Sequence, residues 1–162
     1  MNKTELLPDR PGIPPMAKLP DPETVDPAAL LRAYATGDID LICVLGPTAS
    51  GKTKYAVELA KALDGEAVDF SGASALYFAT EKSPFPARAE VLSADSRQIY
   101  RGMDIGTGKD LKEYGDVPYH LIDIAPAGAK FNIYEYQAAF AKAWADIRSR
   151  GAIPILCGGS GL

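Results

Sequence analysis

The stretch that most constrains the fold of this chain is the octapeptide at 46–53, which directly follows an apolar run at 41–45. Its letters, GPTASGKT, match the phosphate-loop pattern G-x-x-x-x-G-K-[ST] at every fixed position. Glycines in this pattern let the backbone turn tightly and direct its N–H groups at an anion, and the following helix adds the positive end of its dipole. The sequence therefore predicts a buried strand, a phosphate-binding loop and a helix that begins near Lys52.

Two side chains of this loop have their own predicted roles. Lys52 supplies a point charge for a terminal phosphate, and the Thr53 hydroxyl is the oxygen ligand that a magnesium ion (Mg²⁺) takes beside bound phosphates. The phosphate or diphosphate is expected to contact Gly46, Thr48, Ala49, Ser50, Gly51, Lys52 and Thr53. The loop alone predicts a bound phosphate or pyrophosphate, and a glycine-rich turn without a ligand is the alternative.

Composition limits the class of protein. A chain of 162 residues with 47% apolar and 23% charged residues is typical of one globular domain with a real core. The net charge of −4 argues against non-specific nucleic-acid binding without excluding a local basic patch. Cys43 and Cys157 lie in separate strand-like runs, so we expect both to be buried and unpaired. The sequence has no apolar run of membrane-spanning length and no signal-peptide core, and therefore predicts a cytoplasmic protein without a membrane partner.

The beginning of the chain is dense in proline, which prevents regular structure. The segment 1–38 is therefore expected to be a disordered leader, apart from a short helix at 28–35 that Asp26 would cap. The domain itself is expected to span 39–162. An irregular insertion at about 66–88, rich in glycine, serine and proline, interrupts it.

Strand-like and helical segments alternate through the rest of the chain. Further strands are predicted at 90–94, 119–124 and 153–157, and Asn132 and Glu135 form a capping pair for an amphipathic helix. This alternation predicts an α/β fold with a mostly parallel sheet, in the three-layer arrangement of P-loop NTPases.

Candidate ligand-binding residues follow the predicted strands. Asp95 follows the second strand, Asp123 lies near the end of the third, and a glycine-rich loop at 158–161 follows the fourth. Because ligands bind at the carboxyl ends of the strands in such sheets, we expect these residues to meet the phosphate loop at one edge.

Four blocks of sequence occur in an order that resembles one family. They read GPTASGKT at 46–53, SADSRQIYRGMDIGTGK at 93–109, VPYHLIDI at 117–124 and GAIPILCGGSGL at 151–162. Together they resemble the N-terminal half of the tRNA dimethylallyltransferase (tRNA isopentenyltransferase) family. The resemblance implies an enzyme that transfers a dimethylallyl group from dimethylallyl diphosphate to N6 of the adenosine 3′ of the anticodon in tRNA.

The same resemblance implies roles for individual residues. The phosphate loop would hold the pyrophosphate of dimethylallyl diphosphate. Asp95 matches the catalytic aspartate of the family, and the contact with the target adenosine in tRNA matches Asp95, Ser96, Arg97 and Gln98. Ser160 stands where the G-G-T motif of the family has threonine, and its hydroxyl keeps it a candidate catalytic residue.

The residues also suit this chemistry without the resemblance. An exocyclic adenine amine is a poor nucleophile, so a carboxylate that accepts its proton assists bond formation. An allylic diphosphate leaves once Lys52, the loop amides and magnesium on Thr53 stabilise its developing charge. The roles of three further residues stay open. Arg101 could hold a phosphate or the plane of a base, or it could be a solvated surface charge. Asp123 could form a hydrogen bond near the magnesium or be a structural carboxylate, and Lys109 could reach the pyrophosphate or have no such role.

Two other classes of function remain open. A small P-loop kinase or NTPase would bind ATP in the same loop, and a non-catalytic remnant would bind diphosphate alone. Within the family, an enzyme acting on free adenylate would share the loop and the aspartate. Because the family continues well beyond the G-G-T loop, we expect this chain to be a fragment, or to act with a separate C-terminal half. Its expected partners are dimethylallyl diphosphate and the tRNA anticodon arm.

Overall fold

The computed structural model of the chain describes residues 23–64, 68–69, 76–77, 88–109 and 111–158. The candidate Ser160 and the proline-dense stretch before residue 23 lie outside these ranges. A short 3₁₀ turn covers Leu111–Tyr114. The other elements, in chain order, are α1 (Pro27–Thr36), β1 (Ile42–Leu45), α2 (Lys52–Leu63), β2 (Val68–Asp69), β3 (Leu76–Tyr77), β4 (Ala89–Ala94), β5 (Tyr119–His120), α3 (Ile133–Ser149) and β6 (Ile153–Gly158).

One sheet organises the domain. Its strands lie in the order β1-β6-β4-β5, and every neighbouring pair is parallel. Strands of a parallel sheet are covered on both faces and therefore read as continuous apolar runs. The two central strands, β4 and β6, accordingly have no exposed residue. The predicted α/β fold with a parallel sheet is confirmed.

Helices cover the two faces of the sheet. Successive strand residues point to opposite faces, so Val91 of β4 packs in the cluster beneath α2, whereas Leu92 packs with α3. α3 begins as predicted: the Asn132 side chain accepts from the first turn, and the Glu135 carboxylate accepts from the Asn132 N–H at 2.8 Å. Within the described residues, no helix is both long and apolar enough to cross a membrane.

β1 differs from the prediction of a strand covered on both faces. Ile42 and Val44 are buried, but Cys43 is exposed and Leu45 is 63% exposed. β1 is the outer strand of the described sheet, and α3 packs mainly over β4 and β6. The expectation that Cys43 is buried is therefore wrong, whereas Cys157 is buried as expected.

The end of the expected leader is ordered. α1 begins at Pro27, after Asp26 has accepted a hydrogen bond from the N–H of Ala28 at 2.9 Å, and Gly37 ends it with a φ of 78°. Its apolar face packs against the cluster beneath α2 through Leu30, Leu31 and Tyr34. The helix predicted within the leader is thus present, and its packing brings the ordered part of the chain to before residue 39.

The third predicted strand is shorter than the expected range 119–124. β5 has only two residues because Leu121 and Asp123 adopt φ values of 67° and 56°, which a strand does not accommodate. A single parallel bridge between Tyr100 and Ala125 continues the contact beyond this point. Because neither of these left-handed residues is glycine, no pattern in the sequence indicates that the chain changes direction here.

The insertion at 66–88 is not irregular throughout. β2 and β3 pair there as a two-stranded antiparallel sheet, with Val68 opposite Tyr77 and Asp69 opposite Leu76. The other residues of the segment, apart from Arg88, lie outside the described ranges.

A buried carboxylate joins three elements near the amino end of β4. Both oxygens of Glu90 accept hydrogen bonds from Arg150, with Nη2 2.9 Å from Oε2, and the His120 Nε2 lies 2.6 Å from Oε2. Hydrogen bonds from Arg150 lower the pKa of Glu90 against the opposing effect of burial, and His120 acts in the same direction as Arg150. Glu90 is thus charged in the folded state and links β4 to β5 and to the end of α3.

We predict that Glu90→Gln lowers the free energy of unfolding by about 1.5–3 kcal/mol at pH 7, the range for hydrogen bonds to charged groups. The folded-state pKa is depressed, so this stabilisation is present above the unfolded-state pKa of about 4.3 and is lost as the pH falls through the folded value. In urea unfolding, the difference between wild type and variant should narrow below about pH 4. Glu23→Gln, at an exposed position, is the control; a difference that stays constant with pH would contradict the prediction.

Candidate active site

The carboxyl ends of β1, β6 and β4 are level with one another. Leu45 pairs with Gly158, and Gly158 pairs with Ala94 on its other side. The phosphate loop leaves β1 at this edge and Asp95 leaves β4, as the parallel sheet predicts. They border a cleft of about 690 Å³ lined by Thr48, Ala49, Ser50, Gly51, Lys52, Thr53, Ser93, Ala94, Asp95, Ser96, Arg97, Gln98, Gly106, Gly108, Glu113, Tyr114, Cys157 and Gly158.

The phosphate loop has the tight backbone that its glycines predict. Gly51 and also Ala49 lie in the left-handed region, with φ values of 80° and 62°. Gly46 is constrained by space instead, since a Cβ there would lie 3.2 Å from Ser50 Oγ and 3.7 Å from the stem of Lys52. Gly46 is not among the residues that line the cleft, whereas the other predicted loop residues, 48 to 53, are.

The start of α2 offers an anion site. Its N-cap residue is Gly51, which has no side chain to cap the first N–H groups of the helix. Those groups have no partner inside the helix and carry the positive end of its dipole. The Lys52 ammonium bends back over the loop and donates to the Pro47 carbonyl. A cation and several amide donors thus lie at one point of the cleft, which suits phosphate oxygens.

Thr53 lines the cleft beside Cys157. Burial raises the pKa of the Cys157 thiol, and a hydrogen bond with Thr53 offsets this only in part, so the thiol is neutral. Magnesium prefers oxygen ligands and commonly takes only one or two from protein beside a phosphate, and the Thr53 hydroxyl is such a donor. The described part of the chain contains no group of three or more His, Cys, Asp or Glu side chains that could hold a metal ion.

Asp95 opens a tight turn immediately after β4. Its carboxylate accepts from the Arg97 backbone N–H at 3.0 Å, and its carbonyl accepts from the Gln98 N–H at 3.0 Å. The Arg97 guanidinium grips the same carboxylate with two donors, Nε at 3.1 Å from Oδ1 and Nη2 at 2.8 Å from Oδ2. The Asp95 side chain is still 25% exposed, so it remains accessible from the cleft.

The charge state of Asp95 follows from these contacts. Burial alone would raise its pKa, but the hydrogen bonds and charge of Arg97 outweigh burial, and the charge of Lys52 acts with them. The pKa of Asp95 is therefore lower than its ordinary value, and the carboxylate is ionised at neutral pH. Since Lys52 contributes to this shift, the carboxylate and the phosphate-loop cation lie within electrostatic reach of each other.

The buried side chain of Gln98 stabilises the turn that follows β4. Its Oε1 accepts from the Ser93 hydroxyl at 2.8 Å while its Nε2 donates to the Gly108 carbonyl at 3.1 Å. The amide thus joins the end of β4 to the glycine-rich segment that follows Tyr100. Ser96 and Arg97 are exposed at the rim of the cleft.

Three charged residues with open roles lie together, and they are not among the described residues that line the cleft. The Lys109 ammonium is 2.6 Å from Asp123 Oδ1, and Arg101 Nε is 2.6 Å from the Asp123 carbonyl. The Lys109 ammonium is thus bonded to Asp123, outside the set of residues that line the cleft. Arg101 is a partner of the Asp123 backbone.

Several residues that line the cleft are not marked by any pattern in the sequence. Tyr114 is only 3% exposed, and burial raises the pKa of its phenol, so it is neutral. It lies in an irregular connection that has no periodic pattern. Gly158, the first residue of the predicted 158–161 loop, does line the cleft at the edge where that loop was expected. The lining residues that were not named as candidates are Ser93, Ala94, Gly106, Gly108, Glu113, Tyr114 and Cys157.

Several known proteins are similar in sequence to this chain. The family model described as IPP transferase matches residues 98–162. The tRNA dimethylallyltransferase 2 of Syntrophotalea carbinolica is 52% identical over 123 residues, which are 76% of this chain and 33% of that protein. The tRNA dimethylallyltransferase 1 of Geotalea uraniireducens is 49% identical over the same shares. This chain thus spans about a third of the length of the curated relatives it matches.

Solved structures give the same result. The full-length tRNA isopentenylpyrophosphate transferase from Bacillus halodurans is 38% identical with a TM-score of 0.57, over 75% of this chain and 32% of that one. A eukaryotic dimethylallyltransferase acting on tRNA has a TM-score of 0.56 at 24% identity, which supports the fold alone. The predicted resemblance to this family is confirmed over about three quarters of the chain, which match about a third of each relative.

Gly158 makes the closest backbone approach at the cleft, since a Cβ there would lie 2.9 Å from the carbonyl carbon and Cβ of Ala94. We predict that Gly158→Ala separates β6 from β4 at this end and lowers the free energy of unfolding by about 1–3 kcal/mol, the usual cost of overpacking. Gly128→Ala is the control, because Gly128 has a φ of 84° with nothing within 4 Å of a Cβ. Equal losses for both variants in urea unfolding would assign the effect to backbone strain instead of the clash.

Proposed function

We propose that this chain is the catalytic P-loop part of an enzyme that transfers a dimethylallyl group from dimethylallyl diphosphate to N6 of the adenosine 3′ of the anticodon in tRNA. The observation that carries this proposal is one cleft with an anion site on one wall and an ionised carboxylate on the other. The relatives named above, which match 76% of this chain, are tRNA dimethylallyltransferases. The partners proposed for the complete protein are the diphosphate donor and the tRNA anticodon arm, with a cytoplasmic location.

On the donor side, the phosphate loop holds the diphosphate. The amides at the start of α2 and the Lys52 ammonium bind its oxygens, and they stabilise the negative charge that grows as the allylic C–O bond breaks. The Thr53 hydroxyl would hold Mg²⁺ beside the diphosphate. When bound, the ion adds positive charge at the leaving oxygens. These groups are fixed by backbone turns before the substrate arrives, so they need little reorganisation during the reaction.

On the acceptor side, Asp95 receives a proton from the exocyclic amine. The new C–N bond forms between N6 and the allylic carbon, the C–O bond to diphosphate breaks, and the extra N6 proton passes to the Asp95 carboxylate. The target base must leave its stack to reach this cleft. Ser96 and Arg97 at the rim, with Gln98 behind them, form the wall that would receive it. Ser160, next to the end of β6 in sequence, is proposed as an additional hydroxyl at the diphosphate.

Lys52→Ala should weaken pyrophosphate binding by about 2–3 kcal/mol, because a charge-assisted contact with a phosphate oxygen is lost. Isothermal calorimetry of wild type and variant with pyrophosphate measures the difference. Lys54→Ala is the matched control: Lys54 lies on the same helix, 60% exposed and paired with Glu58, and its removal should leave affinity unchanged. Equal affinity of the Lys52 variant would refute the phosphate site. A wild type that prefers ATP to dimethylallyl diphosphate would favour the kinase or NTPase alternative.

Asp95→Asn should leave the fold and pyrophosphate affinity nearly unchanged and slow prenyl transfer by about 10²–10⁴, the usual contribution of a general base. The assay uses radiolabelled dimethylallyl diphosphate and unmodified tRNA with the complete product of the gene. Asp116→Asn, at an exposed position, is the matched control and should transfer at the wild-type rate. Transfer by the Asp95 variant at the rate of the control would exclude a base role for Asp95.

A further inference from the structure

The Lys109 ammonium is a buried charge beside the cleft wall. The side chain is only 1% exposed, and its three donors have three partners. They are the Tyr100 carbonyl at 2.8 Å, Asp104 Oδ1 at 3.1 Å and Asp123 Oδ1 at 2.6 Å. A buried ammonium needs all its hydrogens bonded, and this arrangement satisfies them within the protein. Lys109 is therefore bonded to groups of the protein itself, and it is not among the described residues that line the cleft.

Asp123 is itself held at several points. Its backbone N–H donates to the Gln98 carbonyl at 3.0 Å, and its own carbonyl accepts from Arg101 Nε at 2.6 Å. Its φ of 56° is unusual for a residue other than glycine, so the surrounding contacts must compensate for the strain. Asp123 is thus a fixed anchor after β5, and Lys109 fastens the far end of the 98–109 segment to it.

The fastened segment forms part of the cleft wall. Gly106 and Gly108 line the cleft with φ values of 76° and 67°, and the Gly108 carbonyl accepts from the Gln98 side chain. Within the segment, the Thr107 hydroxyl donates to the Met103 carbonyl at 2.8 Å. Two flexible glycines have little intrinsic preference for this conformation, so their position depends on the contacts at either side of them.

We propose that Lys109 and Asp123 form a positioning pair that holds the Gly106–Gly108 wall against Gln98 and so preforms the acceptor side of the cleft. Neither residue lines the cleft in the described structure, so the pair acts through the wall and not on the substrate. The wall adjoins the Asp95 turn through Gln98, while the diphosphate site is built from β1 and α2. Disruption of the pair should therefore impair use of tRNA and leave the diphosphate site intact. This inference rests on the proposed prenyl transfer.

The test compares Lys109→Met with Lys130→Met in the complete gene product. Methionine keeps much of the length of the lysine side chain without its charge, and Lys130 is exposed, so the second variant controls for the loss of a lysine. Lys109→Met should raise KM for unmodified tRNA about tenfold or more, since small displacements of a substrate-contacting wall have effects of this size. KM for dimethylallyl diphosphate and the Kd for pyrophosphate should stay within about twofold of wild type. Asp123→Asn should reproduce this pattern.

Hydrogen exchange supplies a readout independent of activity. Amides of residues 101–109 should exchange faster in Lys109→Met than in Lys130→Met, while those of α2 should not change. If the single variant does not fold, the double variant Lys109→Met/Asp123→Asn also removes the carboxylate charge that the single variant leaves without its ammonium partner. The double variant should still show fast exchange at 101–109 and a raised KM for tRNA.

Several outcomes would overturn the positioning role. These are unchanged exchange at 101–109, equal increases in KM for both substrates, and an unchanged KM for tRNA. Failure of the proposed function gives a different result: the wild-type protein would transfer no prenyl group to tRNA. In that event the hydrogen-exchange comparison still decides whether Lys109 holds the Gly106–Gly108 wall. The Kd for pyrophosphate still decides whether replacing Lys109 leaves the diphosphate site intact.

Discussion

The site depends on the pairing of β6 with β1 on one side and β4 on the other. In this register Gly158 lies between Leu45 and Ala94, so the three strands end at the same level. The phosphate loop and the Asp95 turn therefore emerge side by side although they are distant in sequence. A side chain at Gly158 would meet the backbone of Ala94, so this level edge requires glycine. The cleft is a consequence of backbone hydrogen bonding in the sheet, and the two loops need few direct contacts to face each other.

Charge is distributed so that the phosphate loop keeps its positive potential. Arg97 is neutralised by Asp95, and Lys109 by Asp123 and Asp104. The hydrogen bond of the Lys52 ammonium is made to a carbonyl, which carries no net charge. An anion that enters the cleft is thus attracted to the start of α2, where helix dipole and ammonium coincide. A local potential of this kind accommodates a diphosphate in a chain whose net charge is −4.

Local patterns in the sequence predicted the parts that local physics determines. The phosphate loop, the capping box at Asn132 and the position of Asp95 after a strand each depend on a few adjacent residues. The errors have long-range causes. β5 stops early because tertiary contacts hold Leu121 and Asp123 in left-handed conformations, and Cys43 is exposed because no described helix packs fully over β1. Lys109 and Gln98 likewise form hydrogen bonds with residues that are distant in sequence, Asp123 and Gly108. Spacing along the chain does not indicate such contacts.

The contact between Asp95 and Arg97 also bears on when the proton leaves in the proposed reaction. A carboxylate with a lowered pKa is a weak base and cannot remove a proton from a neutral adenine amine. As the C–N bond forms, the amine becomes cationic and its protons become strongly acidic, so a weak base then suffices. An ionised Asp95 near the incoming positive charge also stabilises it electrostatically. The arrangement therefore favours bond formation ahead of proton transfer, with Arg97 keeping the carboxylate charged and correctly oriented until the amine has reacted.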